Sequence, residues 1–395
     1  MNANGLSVGR LPPIRSYMKP LLYLIESTDD RLEDSLPKGL WYRQQFTLSQ
    51  FAKKFRVRYF TSDSKIFQSE MPEGVTHCVS PFHLSAYGIR HILYYLFLIF
   101  SSLRWRGSQG VIHLIGVNIP FVALIKKLSG LPLVTFFHYN WAATTRMNYQ
   151  FVQPKRLLSQ FIQTSVLKNS NAVICTTRRL QQVAEKQCFC KRTILLPNYV
   201  NSRLFFSSEP KSPWIVFVGR LHWSKGVDTL IQAFLLISAR IPRHKLLIVG
   251  IGEEQENLEK LARGNQKIRF LGATPYNRVA EILNSAELFV LPSKTMEGHP
   301  RALIEAMMSG CLCMVSDVRG SRDVLLDAGT PEWIFPKDDP VALGDLICKA
   351  ISKGTGLQRE YAEKSFSNRI VLPEYLKILE SWIIDQGPQK CQKFT

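Results

Sequence analysis

The segment Ile215-Val216-Phe217-Val218-Gly219-Arg220-Leu221-His222-Trp223-Ser224-Lys225-Gly226 decides how the chain is to be read. Its first four residues are apolar and mostly β-branched, which predicts a short buried strand. Glycine follows at once, then two cations, then a second glycine before a helical pattern. A strand that ends in a basic, Gly-punctuated loop and runs into a helix is the unit of an open parallel α/β sheet. Such sheets bind ligands beyond the carboxyl ends of their strands. Arg220 and Lys225 can converge there on a diphosphate, Arg through its planar fork and Lys as a point charge.

The same unit recurs in both directions. Apolar runs at Leu246–Val249, Ile268–Leu271, Leu288–Leu291 and Leu312–Val315 predict further strands after it, with amphipathic helices between them and a helical tail beyond Pro340. Before it, Leu21–Glu26, Val57–Thr61, Val111–Ile115, Leu133–Phe137, Val173–Thr176 and Ile194–Leu196 make a first series. The polar connector Asn201 to Pro213 separates the two. With 395 residues, the chain is long enough for two domains of ordinary size. We therefore expect residues 1–205 to form a first Rossmann-like domain, residues 206–365 a second, and residues 366–395 a helical tail packing back on the first.

A second functional stretch is Glu297-Gly298-His299-Pro300-Arg301-Ala302-Leu303-Ile304-Glu305, just past the strand ending at Leu291. Pro300 suits the first position of a helix of about ten residues, and Gly310 suits its end. Its first free N–H groups, at Arg301, Ala302 and Leu303, and its positive dipole end favour an anion. Glu297 lies in the loop before the helix and Glu305 one to two turns inside it, so they can serve two parts of one extended ligand. The plain structural alternative has Glu305 facing solvent and Glu297 supporting the helix start.

The net charge of +19 is unevenly placed. Residues 1–200 hold 25 Lys/Arg against 9 Asp/Glu, an excess of +16; residues 201–395 hold 25 against 22, an excess of +3. Between 101 and 200 there are 13 basic side chains and one acid, Glu185, so the first half faces something anionic. Nucleic acid and an anionic lipid surface both satisfy that field. The chain shows no zinc-finger, RRM-like or bZIP pattern, which argues against a nucleic-acid partner. The apolar run Ile92–Phe100 is too short to span a bilayer and breaks at Ser101-Ser102. It is expected to be a buried core helix, with a helix lying in the membrane interface as the alternative. The N-terminus, with Arg10 and Arg15, carries no apolar signal region. Eight cysteines show no Cys-x-x-Cys pair and no neighbouring His cluster, so they read as reduced thiols in a cytoplasmic protein.

Four elements of the second half, in register over about residues 214–350, resemble the family-four retaining glycosyltransferases of GT-B fold (glycosyltransferases group 1). They are Val218-Gly219-Arg220-Leu221 with Lys225-Gly226, Leu247-Ile248-Val249-Gly250-Ile251-Gly252-Glu253, Phe270-Leu271-Gly272, and the Glu-x7-Glu element from Glu297 to Glu305. The resemblance implies two Rossmann-like domains facing across a cleft and a nucleoside-diphosphate sugar as donor. It implies that Arg220 and Lys225 bind the donor diphosphate, and that Glu305 binds the ribose. Glu297, with Gly298, His299, Pro300, Arg301 and Ala302 after it, would bind the donor sugar, and Gly272 would pack against the nucleobase. His138, at the end of the strand Leu133–Phe137, falls where relatives carry a histidine near the reacting sugar. Catalytic roles are thus implied for Glu297, His138, Arg220 and Lys225.

Two segments depart from the family pattern. The loop Glu26 to Leu40 offers only Gly39 where relatives are Gly-rich, and Leu196-Pro197-Asn198-Tyr199-Val200-Asn201 carries Tyr199 and Asn201 where relatives have Gly and Asp. No Asp-x-Asp occurs, so no metal and no cofactor is expected, and protein cations take the metal's place. The expected activity is retaining transfer of a sugar to a lipid-linked or polysaccharide acceptor at the inner face of the cell membrane, with the protein peripheral on an anionic surface. A GT-B epimerase or a glycan phosphorylase is the alternative among enzymes, and a basic nucleic-acid-binding protein the alternative of another class.

Overall fold

The computed structural model describes residues 19–26, 38–61, 71–81, 87–148, 153–188, 192–352 and 358–384. Arg10, Arg15 and most of the loop from Glu26 to Leu40 lie outside them. The first half runs β1 (Leu21–Glu26), α1 (Lys38–Lys54), β2 (Arg56–Thr61), β3 (Val75–Val79), α2 (Tyr87–Leu103), β4 (Gly110–Ile115), α3 (Val122–Ser129), β5 (Leu133–Phe137), α4 (Trp141–Asn148), α5 (Gln153–Asn169), β6 (Ala172–Cys175), α6 (Arg178–Cys188) and β7 (Thr193–Leu195). The second runs β8 (Ser212–Val218), a 3-10 turn (Trp223–Lys225), α7 (Val227–Ile237), β9 (Lys245–Val249), α8 (Gln255–Leu261), β10 (Ile268–Gly272), α9 (Tyr276–Ser285), β11 (Ala286–Leu291), α10 (Arg301–Met308), β12 (Leu312–Ser316), α11 (Ser321–Asp327), β13 (Ile334–Phe335), α12 (Pro340–Ile351), α13 (Arg359–Phe366) and α14 (Asn368–Ile384).

Two parallel sheets result, ordered β3-β2-β1-β4-β5-β6-β7 and β10-β9-β8-β11-β12-β13. Helices cover both faces, which is why the inner strands read as continuous apolar runs rather than alternating ones. In the first domain α2, α3, α5 and α6 pack on one face through Tyr94, Leu98, Ile125, Val166 and Leu180. The other face is covered by α1 through Trp41, Leu48 and Phe51, and by α14, whose Val371, Leu372, Tyr375 and Leu379 lie on the strands of the first sheet. Local rules set several boundaries. Asp339 accepts hydrogen bonds from the Val341 and Ala342 N–H groups, and Pro340 stands at the first turn of α12, so this helix has a side-chain cap and a pre-set φ.

The structure differs from the sequence expectation in three places. The short strands β3 and β13 were not expected; Val75–Val79 lies on the sheet edge and is only half-buried, and Ile334–Phe335 has two residues, too few for a pattern. The helix α2 runs past the end of the apolar run to Leu103, with Ser102 buried and its hydroxyl donating to the Ile99 carbonyl. Nor is α2 a buried core helix. Tyr94 and Leu98 face the core, while Ile92 and Phe100 on the opposite face are 59% and 66% exposed.

The returning helix is tied to the first sheet by a buried polar pair. His113, in the middle of β4, uses Nδ1 toward the Val134 carbonyl at 3.0 Å and Nε2 toward the Tyr375 hydroxyl at 2.7 Å. Burial holds its pKa down at about 4, so the ring stays neutral when folded, whereas the unfolded chain takes up a proton near 6.5. The stability this neutral ring contributes is therefore fully present above pH 6.5 and declines as pH falls toward 4. We expect denaturant unfolding at pH 7.5, 6 and 5 to show falling stability, and His113→Gln to flatten the slope by up to about 1.4 kcal/mol per pH unit. An unchanged slope in that variant would show that His113 titrates normally in the fold.

Candidate active site

At the carboxyl edge of the second sheet two loops are stitched together. The loop after β8 folds into the 3-10 turn, with the Ser224 N–H donating to His222 Nδ1 at 3.2 Å and the Lys225 N–H to the His222 carbonyl at 2.9 Å. The Lys294 N–H, past the end of β11, then donates to the Ser224 carbonyl at 2.8 Å. Gly226 makes the turn into α7 at φ +65°, and a Cβ there would lie 2.0 Å from the Pro292 carbonyl oxygen. Only glycine fits both the conformation and the gap.

This stitching brings Lys225 onto Glu297. The Lys225 ammonium donates to Glu297 Oε1 at 2.6 Å, the Ser293 hydroxyl donates to the same oxygen at 2.5 Å, and the Glu297 N–H is held by the Arg319 carbonyl at 3.0 Å. Cation and carboxylate stand side by side at the mouth of the cleft, beside the start of α10. Arg220 is set further out, 3.7 Å from the exposed carboxylate of Glu253, which also lies 3.1 Å from His222 Nε2. An exposed pair of this kind holds Arg220 weakly and leaves it able to turn to a ligand. Gly272 ends β10 with nothing within 4 Å of where a Cβ would be, so the space over it is open.

Pro300 stands at the N-cap, outside the first turn, and α10 is eight residues long rather than about ten. The free N–H groups expected at Arg301, Ala302 and Leu303 belong to its first turn. Glu305 does not face solvent: it is 2% exposed. Arg43 from α1, in the other domain, lies 3.2 Å from its Oε1, and the Tyr276 hydroxyl donates to the same oxygen at 2.7 Å.

The first domain meets this edge closely. A Cβ on Gly298 would come 2.9 Å from the His138 carbonyl oxygen, and the Asn198 amide donates to the His299 carbonyl at 3.0 Å. His138 and His299 are both pushed down to about pKa 4, by burial first and then by the Arg301 guanidinium beside them, so both rings are neutral at neutral pH. Each has a buried Nδ1 with no partner among the described residues. Tyr199, which departs from the family's glycine, braces the segment between the domains: its hydroxyl lies 2.8 Å from Thr47 Oγ1 on α1, and its ring packs on Phe46. The sequence reading missed Arg43, Tyr276 and Ser293 as site residues, and quoted Asn198 only as part of the interdomain segment. The first three sit in no recognisable spacing; each is defined only by what the fold places opposite it.

Among the described residues no three His, Cys, Asp or Glu side chains are grouped to hold a metal ion. Cys78, Cys175, Cys311, Cys313 and Cys348 form no disulfide among the described residues.

Two Rossmann-like domains whose strand ends face one cleft define a protein of GT-B fold. Family models match accordingly: "Glycosyltransferase Family 4" over residues 47–203 and "Glycosyl transferases group 1" over residues 202–367. The chain belongs to the group 1 glycosyltransferases. A sucrose-phosphate synthase from Thermosynechococcus elongatus superposes with a TM-score of 0.72 at 17% identity, covering 93% of this chain and 100% of that one. Anabaena HepE, crystallised with UDP and glucose, gives 0.68 at 15% identity, covering 91% and 99%. Among curated relatives, an uncharacterized glycosyltransferase of Methanocaldococcus jannaschii is 32% identical over 151 residues, 37% of this chain and 38% of that protein. The amylovoran biosynthesis glycosyltransferase AmsK of Erwinia amylovora is 28% identical over 181 residues, 42% of this chain and 44% of its own. The phosphatidyl-myo-inositol mannosyltransferase of Mycobacterium tuberculosis is 25% identical over 264 residues, 64% and 65%. The matches thus span less than two thirds of each of these three relatives.

The packing at Gly226 is directly testable. We expect Gly226→Ala to cost about 2–4 kcal/mol, since strain at positive φ adds to a collision with rigid backbone. Gly264→Ala, also at positive φ but with nothing within 4 Å, should cost only about 1 kcal/mol. Equal losses in urea unfolding would mean that the two loops are not held against each other.

Proposed function

We propose that the chain is a retaining glycosyltransferase that moves a sugar from a nucleoside-diphosphate sugar to a lipid-linked or polysaccharide acceptor. The observation that carries this reading is the Lys225–Glu297 pair, 2.6 Å apart, in the loop before α10 and next in sequence to Gly298, which meets the His138 carbonyl of the first domain. Cleavage of a glycosyl–phosphate bond develops positive charge on the sugar and negative charge on the departing diphosphate. Lys225, Arg220 and the N–H groups at the start of α10 stabilise the diphosphate, and Glu297 contacts the sugar. Neutral His138 and His299 add polar edges to the cleft without adding charge. No step is assigned to a covalent nucleophile or to a metal, because protein cations supply the charge that a metal would. Support also comes from relatives named for amylovoran biosynthesis and for phosphatidyl-myo-inositol mannosylation, and from the UDP bound by HepE.

The acceptor side favours a membrane surface. No described helix is long and apolar enough to cross a membrane. Yet α3 packs between α2 and α5, and these three helices present Ile92, Leu96, Phe100, Leu103, Leu124, Leu157 and Phe161 to solvent, each between 40% and 71% exposed. Exposed Arg104, Arg106, Lys127, Lys155 and Lys168 border them, and no acid occurs between residues 101 and 184. Apolar side chains rimmed by cations are the composition of a surface that lies on anionic lipid. We place this face on the inner leaflet of the cell membrane.

Two measurements test these readings. With a turnover assay in hand, Lys225→Ala should lower kcat/KM by about 2–4 kcal/mol of transition-state stabilisation, Glu297→Gln should lower kcat more than it raises KM, and EDTA should leave the rate unchanged. Near-wild-type kinetics in both variants would remove the pair from the site. In the second, the protein should sediment with anionic vesicles at low salt but not with neutral ones, and the double variant Phe100→Glu, Phe161→Glu should stay in the supernatant. Equal sedimentation of variant and wild type would place the membrane contact elsewhere.

A further inference from the structure

Glu305 is where the two domains share a charge. Its Oε1 takes both the Arg43 guanidinium, at 3.2 Å, and the Tyr276 hydroxyl, at 2.7 Å, while the same guanidinium lies over the Tyr276 ring, 4.9 Å from its centroid. Oε1 is therefore saturated. Oε2 of the same carboxylate is buried with no partner among the described residues, and so is Nε of Arg43. Arg301 lies beside them, close enough to both arginine and carboxylate to feel their charges. Around Glu305 the cleft thus holds two guanidinium groups against one carboxylate, with Oε2 of the carboxylate and the Arg43 Nε–H both unpaired among the described residues.

Orphan buried polar atoms are costly, and each needs an account. A ligand with hydroxyl groups and anionic oxygens on one frame answers both needs, and a nucleoside diphosphate is such a ligand. Its ribose supplies O–H donors for Oε2, and its phosphates supply acceptors for the arginines. We infer that Arg43 is a positioning residue for the donor: by fixing Oε1 it aims Oε2 at a ribose hydroxyl. This inference rests on the donor reading above and deepens it. Arg43 belongs to α1 of the first domain and Glu305 to α10 of the second, so the ribose site is complete only when the domains are together. Binding of the nucleotide and closure of the cleft become one event, and a carboxylate 2% exposed becomes accessible only by opening between α1 and α10.

The test uses the full chain and calorimetry. UDP, GDP and ADP are titrated into wild type, and the tightest binder is then compared with its 2′-deoxy analogue in wild type, Arg43→Met, Arg43→Lys, Glu305→Gln and the double variant Arg43→Met, Glu305→Gln. Wild type should prefer the ribose form by about tenfold, the worth of one charge-assisted hydrogen bond. Arg43→Met should lose most of that preference by weakening the ribose form alone. Glu305→Gln should lose it too, the double variant should be no worse than either single one, and Arg43→Lys should recover part. Melting temperatures near wild type confirm that the variants are folded. If Arg43→Met weakens both forms alike, the residue is merely structural. If it tightens both, Arg43 is a plug that the nucleotide displaces, and the inference is overturned. If no nucleotide binds wild type, the donor reading itself falls; if Glu305→Gln loses the preference while Arg43→Met keeps it, only the present inference does.

Discussion

The arrangement of the molecule depends on how the chain crosses between its two sheets. It crosses twice, and the two crossings are hydrogen-bonded to each other. The Val200 N–H donates to the Phe366 carbonyl at 2.8 Å, and the Asn368 N–H donates to the Val200 carbonyl at 2.9 Å. Asn368 adds a side-chain oxygen 3.0 Å from the Ser202 N–H. Neither crossing can shift alone without leaving buried backbone groups unpaired. Because α14 then runs onto the first sheet and is held there by Tyr375, the second domain is joined to the first at two points of the chain rather than by one tether.

That constraint explains the electrostatics of the cleft. Each sheet directs its carboxyl edge toward the other, so side chains that would be solvated on an isolated domain are brought against each other. Arg43 finds Glu305, Asn198 finds the His299 carbonyl, and Gly298 lies on the His138 carbonyl. The histidines lose their charge because burial and Arg301 both disfavour a second cation there. The result is a cleft with fixed positive groups, two separated carboxylates and neutral imidazoles. That set suits a ligand with a concentrated negative charge at one end and hydroxyl groups on either side of it.

The outer face of the first domain follows a different logic. A helix that covers a parallel sheet needs one apolar stripe, and α2 has two: Tyr94 and Leu98 are fully buried, whereas Ile92 and Phe100 point away. Its neighbour across α3, the helix α5, likewise buries Val166 and Leu167 and exposes Phe161. Apolar area of this kind on two helices of one face is not needed to fold the domain, and its cost in water is offset where a surface covers it.

Much of this was legible in the sequence, for physical reasons that act locally. Parallel strands buried on both faces are mostly apolar, so Leu133–Phe137 and Leu288–Leu291 announce themselves. A strand-to-helix turn needs glycine and an anion site needs cations nearby in sequence, so Gly219 to Gly226 and Glu297 to Glu305 carry both fold and chemistry in a few residues. What the sequence did not contain is which side of α2 faces water, since an all-apolar helix has the same composition in a core and on a surface. Nor did it contain the partner of Glu305. Arg43 lies in an ordinary helix with no motif around it, and it meets Glu305 only because α1 of one domain and α10 of the other are brought to the same cleft. Local pattern determined the strands, the loops and the chemistry of each half; only the tertiary structure decided which charges face each other across the gap, because that depends on contacts between residues far apart in the chain.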